Sequence, residues 1–450
     1  MNKYAVPLIM AGNILFSWSF SQIRLPPGGG APLSEAVLAL CFLTFSTRAV
    51  LEEMGEVICL APFILWWVFC IGWAALGISD YGLWALRDAS QAIDSLYLIV
   101  GFNYARNDQD LNRLVKWAPW LVGLAAVNTL VGYTFRTEIA KFSPTITTEH
   151  GEATPIFGSF DLGVTVLIWA ATYLVITAPE NKSSLGRMAV AGGLVSYAIV
   201  MFQTRTGYLQ LLSMLLLFLF VRRKAGLQLL SFLPMLLLVV AVLGLAGAKI
   251  SGRLGNEISM DFFVGHLGAI FGSADRNSEA VTAAASGVDQ RLQWWTLIYE
   301  KVTSDPWSFL TGLGYGFPLV PFTNSQGIQV REPHNSIISV FARSGLIGLF
   351  AFVWMHIELF VNSFRSYYAA RVLTFSREWQ DMVLWLIAFH ILLLAGAGGE
   401  DVMEKPFHAV PYYFLWGVLL NLSYRLLPVS DPDSESPIDD SLGPCARNSA

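Results

Sequence analysis

A histidine and an asparagine stand together in Glu332-Pro333-His334-Asn335-Ser336, just ahead of an apolar run that continues through Arg343-Ser344-Gly345-Leu346-Ile347-Gly348. An imidazole titrates near neutrality, so it can accept a proton from an attacking hydroxyl or orient it. Pro333 disfavours helical geometry in the residue before it, and Asn335 or Ser336 is a good N-cap. A helix is therefore expected to begin just after His334, with its positive end turned outward, where it attracts anions. The plainer reading of the same residues is a lone interfacial His beside a helix cap.

Two arginines join this inventory. Arg205 lies in Gln203-Thr204-Arg205-Thr206-Gly207, a tight turn between two apolar runs, and Arg291 in Gly287-Val288-Asp289-Gln290-Arg291-Leu292-Gln293-Trp294-Trp295. Guanidinium forks match phosphate oxygens. Against that, an Arg at a membrane edge commonly anchors by snorkelling. Arg291 also fits the wet face of an amphipathic helix near 289–303, with Arg291, Leu292, Trp295, Ile298 and Tyr299 on one side. Trp294 and Trp295 suggest that this helix lies on a membrane surface.

Other groups carry less. Arg87, Asp88 and Asp94 are charges inside an apolar stretch, which makes them functional candidates by default, although Arg87 and Asp88 also suit local neutralisation. The run Gly312-Leu313-Gly314-Tyr315-Gly316 is a weak phosphate-loop candidate, with no strand before it and no clear helix after. Gly345 and Gly348 more often mark close helix packing. Glu400, Asp401, Glu404 and Lys405 read as solvated surface of a short turn. His356 and His390 sit in apolar helix, where packing or a carbonyl bond is expected. No HExxH, GxSxG or clustered Asp pair suggests a metal or a hydrolytic triad.

The elements that position these residues are membrane helices. Of 450 residues, 54% are hydrophobic and 14% charged, against about 25% charged in ordinary soluble proteins. Apolar stretches of about 17–25 residues, the length that crosses a hydrocarbon core, recur along the chain. The only backbone that satisfies itself in lipid without closing a barrel is the helix. The expected spans are 4–20, 33–50, 57–77, 82–104, 115–135, 159–179, 186–203, 207–221, 226–248, 337–361, 381–398 and 406–426. The second, with Glu35 and Arg48, and the fourth, with Arg87, Asp88 and Asp94, are the weakest. The first reads as a retained signal anchor, since no small-residue cleavage site follows it.

With both termini inside, fifteen basic residues fall in the inside segments and five in the short outside loops, as the positive-inside rule requires. The expected organisation is nine spans over 1–248, a large outside loop over 249–335, three spans over 336–427 and a disordered inside tail over 428–450 rich in Pro, Ser and Asp. A net charge of −5 argues against a nucleic-acid partner. Cys41, Cys59, Cys70 and Cys445 form no disulfide or metal pattern.

The ordered set of motifs resembles the bacterial O-antigen ligase and O-antigen polymerase superfamily. It comprises Thr204-Arg205-Thr206-Gly207 in an outside turn, Arg291 with Trp294 or Trp295, and the Gly-rich run after Pro306. Pro333-His334-Asn335 ahead of Gly345-Leu346-Ile347-Gly348, and Val402-Met403-Glu404-Lys405-Pro406-Phe407 before the last span, complete it. Each motif is short; the recognisable stretch starts at about 180–210.

The resemblance implies an all-α GT-C-type membrane fold and a cofactor-free, metal-independent glycosyltransferase of the bacterial inner membrane. Its donor would be a glycan on undecaprenyl pyrophosphate at the periplasmic face, and its acceptor a growing glycan (polymerase) or lipid A–core (ligase). Envelope-polysaccharide assembly proteins would be further partners. It implies that Arg205 and Arg291 hold the pyrophosphate while His334 assists the acceptor hydroxyl. Asn335, Trp294, Trp295, Arg87 and Arg343 are expected around the substrate, with Arg343 either paired to an acidic neighbour or reaching the diphosphate. The first outside loop, Gln22 to Pro32, has Arg24 and no acid, which favours the metal-free reading, although Glu35 follows closely. A secondary transporter or flippase for a lipid-linked or anionic substrate is the alternative; it would favour interrupted helices and midplane charge.

Overall fold

The computed structural model describes residues 4–25, 31–147, 153–178, 185–232, 279–320, 322–323, 329–373 and 376–426, with isolated residues 234, 238 and 242. Most of the ninth expected span, the first part of the large loop and the C-terminal tail lie outside the described residues.

Among the described residues the chain is all-α apart from three two-stranded hairpins. Helices α1 (Ala5–Ser21), α2 (Leu33–Phe42), α3 (Thr47–Gly55) and α4 (Ala61–Tyr81) precede three short helices. These are α5 (Leu83–Asp88), α6 (Ser90–Ser95) and α7 (Tyr97–Ala105). Next come α8 (Asp108–Thr134), α9 (Arg136–Phe142), α10 (Gly163–Ile176), α11 (Leu185–Phe202), α12 (Arg205–Val221) and α13 (Arg223–Leu230). The large loop carries α14 (Glu279–Thr303) and α15 (Pro306–Thr311), and α16 (Ser336–Val372), α17 (Arg377–Ala397) and α18 (Pro406–Arg425) close the chain.

Among the described residues, α4, α8, α11, α16 and α17 are long and apolar enough to cross a membrane alone. The bent pair α2–α3 makes a sixth, and α1, α10 and α12 are shorter apolar helices. The second expected span is thus a helix bent by 87°, and the fourth is broken twice, after Asp88 and after Ser95. The first break lets Asp88 turn to partners far away in sequence.

The twelfth expected span, α18, is the interior axis. Sixteen of its 20 residues are buried, and it crosses α7 at glycine contacts. A Cβ on Gly101 would lie 1.9 Å from the Phe414 carbonyl oxygen, and one on Gly417 2.0 Å from that of Leu98. Small residues that let backbones approach are what helix association in lipid requires. His390 of α17 bonds the Leu386 carbonyl with Nδ1 at 2.7 Å and lies 2.9 Å from that of Tyr412 with Nε2. His356 bonds the Phe352 carbonyl at 2.7 Å, so both histidines are packed within helices.

A kink in α16 organises its N-terminal part. Gly345 has φ +61, ψ −158 and splits the helix. The Gly-rich run fills the break: Leu313 N–H donates to the Ala342 carbonyl at 2.7 Å and Gly314 N–H to that of Arg343 at 3.1 Å. Those amides are engaged by the helix backbone and form no phosphate cradle. Gly345 is required twice over, by its positive φ and because a Cβ there would lie 2.5 Å from Gly312 N and the Leu310 carbonyl.

Candidate active site

Three segments distant in sequence converge on the turn between α17 and α18. The first is the start of α16. Asn335 caps it, its side-chain oxygen accepting from Ile337 N at 3.0 Å and Ile338 N at 3.1 Å, while its amide donates to the Gly398 carbonyl at 2.8 Å. The helix begins at Ser336, where the Pro-His-Asn pattern puts it. His334 stands just before this cap at φ +53, a left-handed conformation uncommon for non-glycine residues and found preferentially at functional sites. Its Nδ1 lies 2.9 Å from Asp401 Oδ1 and 3.8 Å from Glu400 Oε2.

The second segment is α14. Arg291 donates to the Gly399 carbonyl at 2.8 Å and pairs with Glu400 at 3.4 Å. One turn on, Trp295 Nε1–H donates to the Pro333 carbonyl at 2.9 Å, and the Trp294 ring centroid lies 6.2 Å from that of His334. Trp294, Ile298 and Val302 form a small core with Leu319, Val320 and Ala342. The inward face is therefore Arg291-Trp294-Ile298-Val302, whereas Leu292 and Tyr299, expected on that side, are exposed. A step of 100° per residue separates these two rows.

The third segment is the start of α12. Thr204 caps it through Gly207 N–H at 3.2 Å, after Gln203, another non-glycine residue at positive φ (+52). A Cβ on Gly399 would lie 2.9 Å from Thr206 Cγ2, so this turn packs on the glycine whose carbonyl Arg291 holds. Arg205 is the first residue of α12, next to Thr206. The α17–α18 turn thus takes Arg291 directly and packs against the segment that carries Arg205.

The turn itself is more than the solvated surface expected from its composition. Asp401 is only 8% exposed, and Lys405 Nζ lies 3.2 Å from its Oδ1. Burial works to raise its pKa, but the Lys405 ammonium and the His334 contact together hold the carboxyl well below the usual carboxylate range. An ionised carboxylate can only accept, so the proton facing it sits on His334 Nδ1, which in the neutral imidazole leaves Nε2 as the acceptor. Glu404 behaves oppositely: burial, and then the negative charge of Glu332, push its carboxyl up to about 8. Ser336 donates to it at 2.5 Å and accepts from Met403 N–H at 3.0 Å.

Arg343 lies elsewhere and is 2% exposed. Its guanidinium meets Glu332 at 2.7 Å, Asp88 at 3.0 Å and the Phe317 carbonyl at 3.0 Å. Arg331 completes the cluster with a fork on Asp88 at 3.2 and 2.7 Å, and Gly316 N–H donates to Asp88 at 3.1 Å. Of the two outcomes expected for Arg343, pairing to acidic neighbours is the one seen. Arg87 stacks over Trp84 at 4.5 Å and lines a cleft beyond the turn.

His334, Glu400 and Asp401 could offer ligand atoms to a metal, all within 4.8 Å of one another. The fit is poor. Arg291 is bonded to Glu400 and Lys405 to Asp401, so a divalent ion would have to displace two cations from the same carboxylates.

Residues 190–353 match the family model Wzy_C, described as O-antigen ligase. That segment is similar to the O-antigen ligase family. The match takes in the Arg205 turn, Arg291, both tryptophans, the His334 loop and the α16 kink, about a third of the chain. It supports membership of the O-antigen ligase and polymerase superfamily. No curated protein matches the chain. The α17–α18 turn with Asp401 lies outside the matched O-antigen ligase segment.

Proposed function

We propose that the chain is a polytopic inner-membrane glycosyltransferase that moves a glycan from undecaprenyl pyrophosphate to an acceptor hydroxyl at the periplasmic face, without a metal. The observation that carries this is the His334–Asp401 pair at 2.9 Å, with Arg291 bonded to the same turn and the Arg205 segment packed on it through Thr206. The acceptor O–H gives its proton to His334 Nε2 as its oxygen bonds the anomeric carbon. The bond from that carbon to the pyrophosphate oxygen breaks, and the pyrophosphate leaves with the electron pair. Arg205 and Arg291 balance the charge that develops there, and Asp401 balances the imidazolium. The large outer loop, the wet turns bearing the arginines and the positive-inside bias are consistent with about twelve crossings in a GT-C-like arrangement with both termini cytoplasmic.

The transporter reading has one observation in its favour: Asp94 is fully buried and neither carboxylate oxygen has a hydrogen-bond partner among the described residues. It gives no role to the strained His334 loop. Purified protein in nanodiscs, given short undecaprenyl-pyrophosphate glycans and lipid A–core, separates the outcomes. A ladder of lengthened lipid-linked glycans means polymerase and a single transfer to lipid A–core means ligase. No product with several native donors refutes the transferase reading.

A further inference from the structure

Arg331 stands three residues before His334 and belongs to a closed ring of bonds. Its guanidinium forks onto Asp88 at 3.2 and 2.7 Å and donates to the Gly316 carbonyl at 2.6 Å. Gly316 N–H closes the ring by donating to Asp88 at 3.1 Å. We propose that Arg331, anchored on Asp88, is a positioning residue that holds the His334 loop in its left-handed turn; that the turn serves glycan transfer rests on the transferase reading above.

The backbone is the first argument. His334 has φ +53, and a non-glycine residue stays in that region only where its surroundings over-determine it. The neighbours are tied down on both sides. The Arg331 carbonyl accepts from Leu319 N–H at 3.1 Å. Glu332 accepts from Arg343 at 2.7 Å and from the Ser339 hydroxyl at 2.8 Å. The Pro333 carbonyl takes Trp295, and Asn335 is bonded to Gly398, Ile337 and Ile338.

The origin of each tie is the second. Both partners of Glu332 lie on α16, the helix that the loop itself enters, so they would move with it. Downstream of His334, Asn335 is fixed to the α17–α18 turn through Gly398. Upstream, Asp88 supplies the matching fixed point from the fourth expected span, 243 residues away in sequence.

The third is what the fold gives up to build the ring. The fourth span breaks directly after Asp88, although its hydrophobicity would continue the helix. Gly316 sits at φ +95, and a Cβ there would run into Tyr81. That glycine bonds both members of the pair, one through its N–H and the other through its carbonyl, which gives the Gly-rich run a structural role toward His334.

The test compares wild type with Arg331→Met and Arg331→Lys, each as the full chain in nanodiscs. Arg331→Met leaves Asp88 bonded to Arg343 and to Gly316 N–H, so the fold should survive. Arg331→Lys keeps the charge and loses the fork. One readout is transfer kinetics. The other is amide exchange at Leu319, Ile337 and Ile338, whose N–H groups bond the loop on either side of His334.

Arg331→Met should lower kcat by about 10- to 100-fold, the scale of a misplacement on the order of an ångström, with donor KM within about threefold. Exchange at all three amides should rise about tenfold while the buried amides of α17 keep their wild-type rates. Arg331→Lys should show the same pattern at about a third of the size or less, and it carries the test if the Met variant does not fold. A kcat within about twofold of wild type in Arg331→Met, a donor KM that rises in step with the loss of kcat, or exchange that rises equally in α17 overturns the proposal. So does faster exchange at Leu319 alone, because the clamp would then stop short of His334. Wild type that transfers nothing, with exchange altered at all three amides in the variants, would sink the transferase reading and keep the clamp. Transfer by wild type with none of the three amides altered would do the reverse.

Discussion

Replacing Asp401 by Asn changes little volume and removes the charge that orients His334. In the wild type the carboxylate takes Nδ1–H at 2.9 Å and Lys405 at 3.2 Å, with 11% of the side chain exposed. A hydrogen bond to a charged group is worth about 1.5–3 kcal/mol. Losing the imidazolium's counter-charge in the transition state therefore lowers kcat by about 10- to 150-fold, at about 1.4 kcal/mol per tenfold. The Asn amide can also donate to Nδ1, which favours the tautomer whose Nε2 carries the proton and cannot accept another. The assay is glycan transfer under saturating donor, with donor KM measured separately and folding checked by thermal unfolding in detergent. Asp401→Asn should lower kcat while donor KM moves less than about threefold, since Arg205 and Arg291 are untouched. A kcat within about twofold of wild type would refute the carboxylate's role, and a loss of the folded state would refute the claim that the effect is electrostatic.

Further outcomes follow from the same geometry. Trp295→Phe deletes the bond to the Pro333 carbonyl and should cost about 1 kcal/mol of positioning, a fivefold or so loss of kcat, read by the same kinetics. Gly345→Ala should lose most folded protein, because φ +61, ψ −158 is a region essentially confined to glycine, costing about 1–3 kcal/mol for other residues, before the 2.5 Å backbone collisions are met. Gly72→Ala, with nothing within 4 Å of the new Cβ, should be neutral or stabilising by about 0.5–1 kcal/mol in the same melting assay. Arg343→Met should destabilise by about 3–5 kcal/mol, leaving Asp88 and Glu332 short of a partner, whereas Arg291→Lys should leave the melting temperature alone and raise donor KM. Glu404, with its carboxyl pushed up to about 8, stabilises below its unfolded value and loses that contribution as pH rises through about 8. Melting temperatures of Glu404→Gln should therefore fall less than wild type between pH 5 and about 8; parallel curves would contradict the assignment.

The site's outline was readable where a single residue announced its chemistry in an unusual place. His334 and Asn335 stand next to Pro333 at the mouth of an apolar helix, and Arg205 interrupts two apolar runs, so side-chain type and position sufficed. Asp401 was not readable in that way. Acids in a short turn are ordinary, and its burial comes from α14 and α16 folding over the turn, contacts that span about 65–110 residues of sequence. A usable signal was present: Glu400, Asp401, Glu404 and Lys405 crowd six positions between two helices that are buried nearly throughout. The expected fourth span is broken for a related reason. Its intramembrane Asp88 is satisfied by Arg331 and Gly316, and reaching them breaks the helix that hydrophobicity alone would continue. On α14 the period was legible but its phase was not, because Leu292 and Trp295 are as apolar as Trp294 and Ile298. The partner surface of Leu319, Val320 and Ala342 chose between the rows.

The central claim is that His334, activated by Asp401, takes the acceptor proton without a metal. The most direct measurement is single-turnover transfer by the purified full chain with a defined undecaprenyl-pyrophosphate glycan and acceptor, in excess chelator, comparing wild type with His334→Ala. The account predicts product from wild type at a rate the chelator does not change. It predicts a loss of at least about 100-fold in His334→Ala, with donor affinity intact. Equal rates in the two proteins, or a wild-type reaction abolished by chelator and restored by a divalent ion, would contradict it.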